Sequence, residues 1–113
     1  MSQEKTAFVL RFEGITLDEG NVLARELEAE VRAAHRDAEA RVTKDDQANQ
    51  DFGATLLLIL GTPAVVIVAR AIADYIQRRG VSVSITPEGG VSINNLKSSD
   101  VANVVKNLPK TAK

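Results

Sequence analysis

Phe52-Gly53-Ala54-Thr55-Leu56-Leu57-Leu58-Ile59-Leu60-Gly61-Thr62-Pro63-Ala64-Val65-Val66-Ile67-Val68-Ala69 runs for 18 residues without a charge. A bilayer is spanned by about 20 predominantly apolar residues, and the practical range begins near 17, so the run is long enough to be read as membrane-inserted. Its interruption favours a buried core instead. Gly61-Thr62-Pro63 reads as one helix ending and another starting, with Gly61 near the C-cap, Thr62 as N-cap and Pro63 at the first helical position. The second segment continues to Arg79, and Arg70, Asp74, Gln77 and Arg78 fall at i, i+4, i+7 and i+8, which gives that helix one wet side. Leu56 to Leu60 is apolar all round, more than a helix lying on one sheet buries, so an exposed partner surface is a third reading.

Outward from this run, the pattern is that of a small mixed domain. Upstream, Phe8, Leu10 and Phe12 alternate with Val9, Arg11 and Glu13 in the period of a half-buried strand that ends at Gly14. Thr16 and Glu19 are spaced as a capping box, with Asp18 an equally good N-cap. The helix that follows places Leu23, Leu27, Val31 and Ala34 on one stripe among Arg25, Glu26, Glu28, Glu30, Arg32 and Arg36. Ala40 to Thr43 gives a short strand signal, and Asp45 to Asp51 reads as a polar loop. Downstream, Val81, Val83 and Ile85 lead through Pro87-Glu88-Gly89-Gly90 to Val91 and Ile93, a β-hairpin. Ser98 or Ser99 caps a last helix whose Val101, Val104, Val105 and Leu108 share a face, with Pro109 after it. The expected fold is α+β, in the order β-α-β-α-α-β-β-α. A sheet of three to four strands is covered by helices, in one domain across residues 1–113.

Charge excludes one class of partner. The 113 residues carry 14 Lys and Arg against 15 Asp and Glu, where a polyanion binder would show a basic excess. The balance hides an asymmetry, because residues 1–51 sum to −5 and residues 52–113 to +4. Lys106, Lys110 and Lys113 are few and lack an exposed aromatic neighbour, so no nucleic acid is expected. Cysteine is absent, which removes disulfides, thiolate metal sites and Cys nucleophiles, and makes the cytoplasm the simplest compartment. Met1 to Thr6 has no basic segment leading into an apolar stretch, so no secretory signal is expected.

No constellation carries chemistry. His35 is the only histidine and stands beside Arg36 on a charged helix, the setting of a solvated side chain, with no second His or Cys to complete a site. Asp45, Asp46, Asn49 and Asp51 lack the alternation, central Gly and closing Glu of a calcium loop. Gly61-Thr62-Pro63 has no following Lys, and Gly89-Gly90 lies in a hairpin turn, so neither cradles a phosphate. Glu26 and Glu30 lie on an exposed face, and Arg78-Arg79 ends a helix where the dipole favours cations. Neither an enzyme, a cofactor nor a metal is expected.

The acidic amphipathic helix, the Phe52-Gly53 to Gly61 run, the segment ending Ala73-Asp74-Tyr75-Ile76-Gln77-Arg78-Arg79 and the Val81-Ser82-Val83-Ser84-Ile85 to Val91-Ser92-Ile93 hairpin are together distinctive. In that order, over nearly the whole chain, they resemble the effector-associated constant component family of bacterial conflict systems. The resemblance implies a non-enzymatic adaptor of antiviral defence that recruits or restrains a variable effector beside a sensing component. It transfers no site residue, because the family offers no catalytic motif. The residues themselves point to a cytoplasmic module that binds a protein partner or self-associates into an oligomer through Leu56, Leu57, Leu58, Ile59, Leu60, Val65, Val66 and Val68, with Arg78 and Arg79. The alternative is a membrane-associated regulator that inserts residues 52–69 as a short helical hairpin.

Overall fold

Alternation in the first strand fixes the centre of the molecule. A computed structural model describes residues 4–44, 54–88, 90–108 and 111–112. In chain order the elements are β1 (Glu4–Glu13), α1 (Leu17–Ala34), β2 (Glu39–Lys44), β3 (Ala54–Gly61), α2 (Thr62–Arg79), β4 (Ser82–Pro87), β5 (Ile93–Leu96), α3 (Ser98–Lys106) and β6 (Thr111–Ala112). All strand pairs are antiparallel. The sheet runs β2-β3-β1-β4-β5, and β6 pairs with the start of β1. Since β1 and β2 both oppose β3, they are mutually parallel, and α1 is the crossover between them. By the same logic α2 crosses from β3 to β4 over β1. Two interleaved β-α-β units of this kind make the ferredoxin-like, split β-α-β arrangement, to which β5, α3 and β6 are appended.

The α+β class and the helical cover of the sheet stand, but the sheet is larger than the expected three to four strands: five in sequence and β6 beside them. The extra inner strand is Ala54–Gly61, where a helix was expected. Its pattern misleads because β3 lies between β2 and β1 and is apolar on both faces. Leu56, Leu58 and Leu60 are fully buried beneath the helices, while Leu57 and Ile59 are half-buried on the other side. A short, wholly apolar run cannot be assigned to strand or helix by periodicity alone. Gly61 accordingly ends a strand and is the N-cap of α2, with Thr62 the first helical residue and Pro63 following. The helical hairpin over residues 52–69 is therefore replaced by strand and helix, and among the described residues no helix is long and apolar enough to cross a membrane.

One layer of side chains joins sheet and helices. Phe8, Leu10 and Phe12 of β1 meet Leu27 and Val31 of α1 and Val68, Ile72 and Tyr75 of α2 in a continuous core. α1 begins with the expected capping box: the Glu19 N–H donates to Thr16 Oγ1 at 3.2 Å, and the Thr16 N–H donates to Glu19 Oε1 at 3.2 Å. α3 is capped from inside rather than by Ser98 or Ser99, since the Lys97 N–H donates to Asp100 Oδ2 at 3.2 Å. The hairpin strand β5 starts at Ile93, later than expected, and leaves Val91 84% exposed.

Candidate interaction face

Among the described residues the helices cover only one face of the sheet, and the residues that alternate with the core line the other. Two cross-strand rows on that outer face are apolar at their centre. In the first, Glu39 of β2 lies opposite Ile59 of β3, which lies opposite Ala7 of β1. In the second, Arg41 is opposite Leu57, Leu57 opposite Val9, and Val9 opposite Thr86 of β4. Ala7, Val9, Leu57 and Ile59 are all half-buried. They form the floor of a groove of about 580 Å³ rimmed by Lys5, Glu39, Thr86 and Glu88. A third row is polar: the Thr43 and Thr55 hydroxyls are 2.8 Å apart, and Ser84 lies opposite Arg11. The outer face is thus an apolar strip bounded by charge.

The edge of the sheet beside this strip is guarded. Arg32 of α1 reaches over β2 and donates from Nε and Nη2 to the Ala40 carbonyl, at 3.3 and 3.0 Å. An edge carbonyl held by a guanidinium does not accept a new strand. Arg32, Arg36 and Arg41 then line a second cleft of about 380 Å³ that shares Glu39, Leu57 and Ile59 with the first. Arg32 thus occupies one acceptor of the β2 edge, while no described helix lies over Ala7, Val9, Leu57 and Ile59.

The ten residues expected to make one surface are divided by the fold. Leu56, Leu58, Leu60 and Val68 are fully buried and Val65 is 5% exposed, so these five belong to the core. Leu57 and Ile59 lie on the outer sheet face. Val66 is 50% exposed on the far side of α2, and nothing brings it near them. Arg78 and Arg79 tie the two long helices together: Arg78 Nη2 donates to Glu30 Oε1 at 2.7 Å, Arg79 Nη2 donates to Glu26 Oε1, and each guanidinium is 5.7 Å from the Tyr75 ring centroid. Tyr75 is buried under them, and its hydroxyl donates to Glu26 Oε1 at 2.6 Å. This cluster holds Glu26 below the usual carboxylate range, chiefly through the tyrosine hydrogen bond, and burial pushes the Tyr75 phenol up, with Glu26 adding to the effect. These groups are spoken for within the chain.

His35 closes α1, where its Nδ1 accepts the Asp37 N–H at 3.1 Å, a local turn and not a ligand set. The Asp45, Asp46, Asn49 and Asp51 cluster lies outside the described residues. What the sequence pattern left out of the surface is its β1 and β2 half, Ala7, Val9, Glu39 and Arg41. The available signal was Ala7 and Val9 themselves, apolar residues at the outward positions of an alternating strand. No protein-family model matches the chain, and neither a curated protein nor a solved structure does.

Proposed function

We propose that the protein is a non-catalytic interaction module that docks a protein partner on the outer face of its sheet. In the role that the resemblance to effector-associated constant components implies, it is a cytoplasmic adaptor that recruits or restrains an effector of a bacterial conflict system. The observation that carries the reading is the strip Ala7, Val9, Leu57 and Ile59, four half-buried apolar side chains on a face that no helix covers among the described residues. An apolar groove rimmed by charged residues is the form a protein-binding surface takes.

A photo-crosslinking amino acid in place of Leu57, and separately in place of Val66, tests the face in cells. Protein adducts are expected from position 57 and not from position 66, and mass spectrometry of the adduct identifies the partner, an effector, a sensor component or a second copy of the chain. Absence of any adduct at position 57 overturns the module reading.

A further inference from the structure

Glu39 and Arg41 stand two residues apart on β2, both exposed, both on the outer face, and neither has an ion-pair partner among the described residues. They end the two apolar rows: Glu39 beside Ile59 and Ala7, Arg41 beside Leu57 and Val9. Opposite charges at equivalent places in adjacent rows are self-complementary under a two-fold axis that runs across the strands between those rows. Such an axis turns a second copy face-down onto the first. Each Glu39 then meets the Arg41 of the other copy, and Ile59 meets Leu57 while Ala7 meets Val9.

The size of the face fits this arrangement. The 34 residues of β1 to β5, at a rise of about 3.3 Å and a spacing of about 4.8 Å, make a face on the order of 540 Å². Two such faces bury on the order of 1,100 Å² together, the low end for a specific interface, so the dimer is a weak one. Pairing edge to edge through β2, one of the two edge strands, would have to displace Arg32 from the Ala40 carbonyl. We infer that the partner of the outer face is a second copy of this chain, packed sheet against sheet about that axis. This rests on the outer face being a docking surface, and it adds the occupant and the symmetry.

The axis makes a charge pattern that can be rewritten. Because the Glu39 to Arg41 contact occurs twice, Glu39→Arg alone or Arg41→Glu alone sets like charges together twice, and each is expected to weaken the dimer at least about tenfold. The double variant E39R/R41E restores both pairs and is expected to return to within about threefold of the original. All these positions lie on the outer face of strands whose inner face holds the core, and circular dichroism verifies that each variant folds.

Light scattering over a dilution series, on the full chain and the three variants, reads the outcome. A dimer weakened by each single change and rescued by the double change is the expected result. A monomer at high micromolar concentration, or a dimer indifferent to the swaps, overturns the proposal. In either case adducts between position 57 and other proteins would leave the module reading in place. No adduct at all would remove that reading too.

Discussion

Tyr75 and Glu26 meet across the interface of α1 and α2 through a 2.6 Å hydrogen bond, and the same glutamate oxygen also accepts from Arg79. One carboxylate thereby joins a buried phenol to a half-exposed cation, and the two long helices are fixed together at that end. Tyr75 reaches the core as well, with its ring edge-on to Phe12 at a centroid distance of 6.3 Å.

Replacing Tyr75 with Phe keeps the ring and removes the hydroxyl. The expected cost is about 1 to 2 kcal/mol, since the lost donor serves a charged acceptor. The urea midpoint measures it at constant m-value. A neutral effect would mean that the interhelical bond contributes nothing net.

The same contact makes stability depend on pH at both ends. Glu26 is lowered from 4.5 in the folded chain, so its contribution is complete above 4.5 and is lost as pH falls through the lower folded value. Tyr75 is raised from 10.0, so its contribution is complete below 10.0 and is lost as pH climbs toward the folded value. Tyr75 is the only tyrosine and there is no tryptophan, so absorbance follows its ionisation directly. Its midpoint is expected above 10.0, and Glu26→Gln should bring it down and flatten the acid limb of the stability profile.

Leu57 and Leu58 are sequence neighbours on opposite faces of β3, and truncation should separate them. Leu58→Ala, at a fully buried site, is expected to cost about 2 to 5 kcal/mol, a large part of the stability of a domain this size. Leu57→Ala is expected to cost about 1 kcal/mol and to act mainly on association. Parallel unfolding and light-scattering measurements distinguish the two effects.

Gly80 ends α2 at φ 67°, with its N–H donating to the Ile76 carbonyl at 2.8 Å, and a side chain there would meet nothing within 4 Å. The requirement is purely one of backbone conformation. Gly80→Ala should cost about 1 kcal/mol, and Gly80→Asn less, because Asn tolerates the left-handed region better. Thermal unfolding checks the order.

Arg32→Ala exposes the Ala40 carbonyl at the free edge of β2. Domain stability should change by less than about 1 kcal/mol, whereas heat-induced aggregation followed by scattering should rise. No change in aggregation would show that the edge is protected by something other than Arg32.

Elements with one wet and one dry side were legible in the sequence. β1 alternates, α1 carries a narrow stripe within a charged surface, and Thr16 with Glu19 marks its start; all three follow from one-sided burial. Residues 54–61 were not legible, because an inner strand with apolar side chains on both faces shows neither a period of two nor one of 3.6 residues. The β-branched stretch Val65-Val66-Ile67-Val68 shows the converse, a helix against local propensity, stabilised by Val65, Val68, Ala69 and Ile72 in the core. The candidate face was half visible. Leu57 and Ile59 were in the expected set, but their partners Ala7 and Val9 come from a strand some 50 residues earlier, and only strand order brings them together.

Strand order also sets a schedule for synthesis. β1 emerges first, yet it is the middle of the sheet: its neighbours are β3 and β4, which end at Gly61 and Pro87. Until those segments leave the ribosome, Phe8, Leu10 and Phe12 have neither a strand on either side nor the α2 surface that covers them. Contacts of such long sequence separation form late. The nascent chain therefore carries an unpaired apolar strand until β3 and β4 have been made, exposed surface of the kind that chaperones bind and that a pause before β4 would prolong.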